Sequence, residues 1–209
     1  MQDLPHLLAI VAALTVGIVS PGPSFVMVAR TALSTSRREG VAAAFGMGAG
    51  GVVFAVAALL GLHALLLAVP SLYLGLKLVG GLYLAFLGYR IWRAAQCPLH
   101  LGNLAEHPAT RTRLALALGF TTQISNPKTA IVYASVFAAF LPAEQSLSFD
   151  LALVTLIFLI EVGWYSLVAL ALACERPRSA YLRYKSSIDR LAGGVMIALG
   201  LKLLSAAHY

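Results

Sequence analysis

The sequence predicts an all-α polytopic membrane protein, with six transmembrane helices arranged as two inverted three-helix repeats and with helices 1 and 4 broken at proline motifs. Three observations predict it. Of the 209 residues, 60% are hydrophobic and only 11% are charged, and the mean hydropathy is +0.86. Soluble domains run about 45–50% apolar and about 25% charged, so lipid is the natural solvent for this chain. Apolar stretches long enough to cross a bilayer recur along the chain, separated by short polar or basic connections. Finally, the two halves of the chain carry matching motifs in the same order.

The expected spans are roughly residues 4–29, 41–67, 72–92, 114–140, 150–173 and 190–206. The first is preceded by Asp3 and by no lysine or arginine. A signal peptide needs a basic n-region, so this segment reads as a permanent span. Pro21 and Pro23 interrupt it, and an interior proline removes a backbone bond and clashes with the preceding turn. The second span contains "GMGAGG", Gly46 to Gly51. It has neither the preceding strand nor the GK[ST] ending of a phosphate loop, so the small residues read as a close helix contact in lipid. His63, late in this span, reads as interfacial. In the third span Lys77 lies near the outer boundary. The fourth is interrupted at "SNPKTA" and the fifth carries Glu161 near its middle. Asp189-Arg190 opens the sixth, where snorkelling or pairing across the repeats is expected. The longest connection, "AAQCPLHLGNLAEHPATRTR", divides the chain into a first repeat (1–93), a linker (94–113) and a second repeat (114–209) within one transmembrane domain.

Charge sets the orientation. All of the 15 lysines and arginines except Lys77, Lys128 and Lys202 lie at or beyond the end of the first, third or fifth span. Basic connections stay cytoplasmic, so both termini are expected outside. The net charge of +7 is explained by this partition without nucleic acid. Cys97 and Cys174 then lie toward the cytoplasm, where a disulfide is not expected. Neither sits in a metal-ligand spacing and the five histidines show no HExxH, so no metal or cofactor is expected.

"GPSFVMV" from Gly22 matches "NPKTAIV" from Asn126, proline on proline. "KLVGGLYLA" from Lys77 matches "RLAGGVMIA" from Arg190. With three spans per half, the second half must be inverted relative to the first. Inverted repeats with discontinuous helices at corresponding positions point to a transporter binding site. Pro21 and Pro23 deprive the carbonyls of Gly17 and Val19 of their donors, and Pro127 does the same to Gln123. Bare backbone at membrane depth is tolerated only where protein or water covers it. Beyond each break a new helix start offers N–H groups to an anion. Ser20, Ser24, Gln123, Ser125, Asn126 and Thr129 surround the breaks. Loose carbonyls for an ammonium and helix starts for a carboxylate suit an α-amino acid.

An ionisable residue within a span normally faces an interior cavity and has a partner. Glu161 is therefore the candidate for proton coupling. For Lys128 two roles are open: holding the substrate carboxylate, or pairing with Glu161. Trp164, one turn from Glu161, is expected to line the same cavity. A membrane-embedded enzyme would need a nucleophile–base pair or a metal cluster, and neither is evident.

The stretches "SPGPSFVMVARTALSTSRREG", "GLHALL", "GGLYLAFLGYRIWR", "SNPKTAIVYASVF" and "IEVGWYSLV" resemble the LysE/RhtB superfamily of bacterial amino-acid exporters, and most closely its threonine efflux branch. The resemblance runs over nearly the whole chain. It implies a six-span, proton-driven inner-membrane exporter of threonine, homoserine or a related amino acid. It points to Pro21, Gly22 and Pro23, to Asn126, Pro127 and Lys128, and to Glu161. One departure stands out: threonine-exporter-like members tend to have an acidic or amide residue after PGP, whereas this chain has Ser24. The expected partners are a small amino acid, protons and the lipid bilayer, and the sequence leaves a homo-oligomer open. Exporters of basic amino acids or of another small metabolite, and a passive channel, stand as alternatives.

Overall fold

The computed structural model describes residues 3–68, 70–97, 112–142 and 145–205. Among them the chain forms eight helices and no strand. These are α1 (Asp3–Val19), α2 (Pro23–Ser34), α3 (Arg37–Ala68), α4 (Pro70–Ala94), α5 (Thr112–Ile124), α6 (Pro127–Phe140), α7 (Leu147–Leu172) and α8 (Glu175–Ser205). Most of the expected linker, residues 98–111, lies outside the described residues.

The first and fourth expected spans are each two helices. Pro23 and Pro127 stand at the starts of α2 and α6, where a missing N–H costs nothing because the first helical N–H groups have no intrahelical partner. The α1 and α2 axes differ by 55° across the break. Among the described residues two helices, over Arg37–Gly61 and Leu147–Leu172, are long and apolar enough to cross a membrane, and the bent α1–α2 pair makes a third if it is one span.

One expected connection is helical instead. The basic stretch before Arg190 reads in the sequence as a cytoplasmic loop. It forms the first half of α8, which runs unbroken for 31 residues from Glu175. Pro177 falls in the first turn, where the helix tolerates it. Lys185 and Asp189 consequently lie four apart on one face and form an ion pair of 2.6 Å. Asp189 thus pairs within its own helix rather than across the repeats.

Large apolar side chains cover much of the surface, with Leu60 71%, Leu147 73% and Leu191 72% exposed. Such a surface suits hydrocarbon. The interior is one cluster that includes Leu14, Phe25, Met47, Tyr133, Phe137, Ile157 and Met196. Small residues set the closest helix approaches. A Cβ on Gly88 would stand 2.5 Å from the Gly193 carbonyl oxygen, and one on Gly193 would stand 2.6 Å from that of Gly88. Gly81 and Gly200 repeat this reciprocal contact further along, so α4 and α8 pack antiparallel, backbone on backbone. The glycines of the "GMGAGG" stretch act similarly: Gly46 lies against the backbone of Leu116 and Phe120 on α5.

Candidate substrate site

The two breaks meet. Lys128, the second residue of α6, donates its ammonium to the Ser20 carbonyl at 2.6 Å. A Cβ on Gly22 would stand 3.3 Å from Lys128 Cδ and 3.4 Å from Nζ, so the glycine lets the lysine lie across the first break. Asn126 caps α6 by accepting from Lys128 N at 3.0 Å, and its side-chain amide donates to Ser24 Oγ of α2 at 2.9 Å.

A hydrogen-bond chain runs inward from there. Ser24 Oγ donates to Gln123 Oε1 at 2.7 Å, and Gln123 Nε2 donates to Glu161 Oε1 at 2.8 Å. The Tyr133 hydroxyl donates to the same carboxylate oxygen at 3.0 Å. Glu161 is 0% exposed, and its second oxygen, Oε2, is buried without a partner among the described residues. One carboxylate oxygen is therefore fixed by two donors, while the other remains an acceptor for an ammonium group or a proton.

These residues line a cavity that encloses about 20 Å³. That is room for about one water molecule and far short of an amino acid. Ser20, Gly22, Ser24, Gln123, Asn126, Lys128, Thr129 and Glu161, all expected from the sequence, line it. A wider vestibule of about 480 Å³ lies beside it and takes in Pro21, Pro23 and Pro127. Gly22, Asn126 and Lys128 line both spaces and form the partition between them. The vestibule also reaches Arg90, Cys97 and Lys185, which belong to basic stretches that the charge pattern assigns to the cytoplasm.

Several expectations need correction. Lys128 bonds to the first break and is not within ion-pair distance of Glu161. Its acceptor is the Ser20 carbonyl. The Gln123 carbonyl is not bare, because Asn126 N turns back to it at 3.1 Å when the last turn of α5 tightens. Trp164 does not line the inner cavity; Tyr165 does, being four residues from Glu161 and nearer its helical face. The Trp164 indole nitrogen is buried and without a partner among the described residues.

Sequence reasoning missed Tyr133, Tyr165 and Gly51. Tyr133 lies seven residues after the Asn126 cap and so falls on the same face of α6, a periodicity that could have flagged it. A Cβ on Gly51 would stand 3.1 Å from both Glu161 Oε1 and the Tyr133 hydroxyl oxygen, so this glycine makes room for the acid.

Residues 15–207 match the LysE type translocator family. The chain belongs to that family. Among LysE-type relatives, the threonine efflux protein of Escherichia coli is 32% identical over 194 residues, covering 90% of this chain and 92% of the relative. The threonine efflux protein of Salmonella typhimurium is 32% identical over 190 residues with the same coverage. An uncharacterized membrane protein of Haemophilus influenzae is 28% identical over 192 residues, covering 90% of each chain. No solved structure gives a significant match. Membership in this LysE-type family makes the chain a translocator, and its broken helices contribute to an interior polar site.

Proposed function

We propose that this protein exports a small, neutral amino acid from the cytoplasm in exchange for protons, by alternating access around the cavity between α1–α2, α5–α6 and α7. The observation that carries this reading is the chain from Asn126 through Ser24 and Gln123 to Glu161, which couples both helix breaks to one buried acid. In this reading Lys128 receives the substrate carboxylate, and the free oxygen of Glu161 takes either the substrate ammonium or a proton. Occupancy by one excludes the other, which is the condition for antiport. The tight inner cavity beside an open vestibule supports a conformation facing the cytoplasm with its binding space collapsed.

The name of the threonine efflux relatives favours threonine or a close analogue. Within the vestibule Arg90, Lys128 and Lys185 outnumber Asp189, and a positive lining opposes a basic amino acid. Six spans in two inverted halves are part of the proposal, supported by the matched breaks and the reciprocal glycine contacts of α4 and α8. Counterflow of each of the twenty amino acids into proteoliposomes tests it. Uptake of a small neutral amino acid, driven by an imposed pH gradient and lost with a protonophore, is expected. Flux that ignores the gradient would favour a channel, and no flux of any amino acid would overturn the reading.

A further inference from the structure

We propose that Asp189 is a second docking point for Lys128: the ammonium leaves the Ser20 carbonyl for the free Asp189 oxygen, and this move joins the inner cavity to the vestibule. Asp189 is then a positioning residue that acts through Lys128. The inference rests on the transport reading only for its effect on flux.

Lys128 belongs to the wall of both spaces, so moving its side chain changes the partition between them. An ammonium has three donors, and among the described residues the Lys128 ammonium bonds one acceptor, the Ser20 backbone carbonyl. Asp189 lines the same vestibule and is only 4% exposed. Its Oδ2 accepts from Lys185 at 2.6 Å, whereas Oδ1 is buried with no partner among the described residues. A buried carboxylate oxygen without a donor is costly, and a charge-assisted bond to Lys128 would relieve that cost. Arg90, the other cation of the vestibule, is exposed and sits over the Phe86 ring, 5.8 Å from its centroid.

The position of Asp189 is fixed from two sides. Lys185 holds one oxygen, and one turn earlier the Tyr181 ring stacks on Phe25 of α2 with centroids 5.1 Å apart. The face of α8 bearing Tyr181, Lys185 and Asp189 is therefore tied to the helix that follows the first break. The merely structural alternative is that the Lys185–Asp189 pair only stiffens α8.

The test reads access to the inner cavity without any substrate. Val132 lines that cavity, so Val132→Cys, with Cys97→Ser and Cys174→Ser, supplies one reporter thiol. Labelling by a membrane-impermeant methanethiosulfonate is followed in inverted membrane vesicles. Adding Asp189→Asn is expected to slow labelling about tenfold, the equivalent of losing one charge-assisted bond. Lys185→Met, which keeps the acceptor but loosens its hold, is expected to slow labelling clearly less than Asp189→Asn does, and Asp189→Glu to leave the rate within about twofold. Three results would overturn the proposal: no labelling of the reporter protein, equal labelling with Asp189→Asn, or equal slowing by Lys185→Met and Asp189→Asn. Because labelling needs no amino acid, the expected pattern without counterflow would count against export alone, and counterflow with unchanged labelling would count against the docking point alone.

Discussion

Lys128 and Ser20 are separated by 108 positions in the chain, yet the lysine ammonium donates to the serine carbonyl across 2.6 Å. The contact joins the start of α6 to the end of α1, at the two places where proline interrupts the helices. It answers a physical need at each: a part-buried cation gains an acceptor, and a carbonyl near a break gains a donor.

Replacing Lys128 with Met removes both that bond and the candidate partner for a carboxylate. Loss of a charged hydrogen bond is worth about 1.5–3 kcal/mol, so initial counterflow rates should fall by about tenfold or more. Lys128→Arg should not restore them, because the planar guanidinium does not fit an ammonium's place against Gly22.

Glu161→Gln preserves the shape of the acid but cannot exchange a proton. Coupled export should be lost, and any residual flux should be indifferent to an imposed pH gradient. Transport assayed at several external pH values checks this. Undiminished, still proton-dependent transport by the variant would remove Glu161 from the coupling role.

Tyr133→Phe takes one of two donors from Glu161 Oε1 while keeping the ring stacked near Phe137. The net loss for a hydrogen bond to a charged group is about 1.5–3 kcal/mol at most, so an intermediate fall in rate and a shifted pH profile are expected. Gly51→Ala should act on the same acid by crowding, since its Cβ would press both Glu161 and Tyr133 at 3.1 Å. Measuring the pH profile of both variants tests whether they act through the acid.

Gly193→Ala would place a methyl group 2.6 Å from the Gly88 carbonyl oxygen, against backbone that cannot yield. Overpacking typically costs about 1–3 kcal/mol, so a lower Tm in detergent is expected. Gly163→Ala meets nothing within 4 Å and should leave Tm unchanged, providing the matched control.

Much of this site is legible in the sequence because proline acts locally. Pro23 and Pro127 end one helix and start another wherever they stand, so the breaks follow from the chain alone. The same holds for Glu161, whose charge within an apolar stretch demands an interior position. The helical course of 175–189 was hidden because its basic composition resembles a cytoplasmic loop, and periodicity there competes with snorkelling charges. Tyr165 was hidden by its neighbour Trp164, because one residue of helical rotation decides which of them faces the acid.

By itself the sequence determined that the chain belongs in lipid, that two of its apolar segments are broken, and that an acid and a lysine accompany the breaks. Composition and single-residue backbone chemistry suffice for each of these. Only the tertiary structure decided that Ser24 bridges Asn126 to Gln123, that Tyr133 and Gln123 share one oxygen of Glu161, and that Lys128 turns to Ser20 rather than to the acid. The reason is that these pairs are far apart in the chain and depend on the rotation and depth of whole helices. In lipid no difference in hydrophobicity between faces fixes that rotation; close packing of small residues and the matching of buried polar groups do.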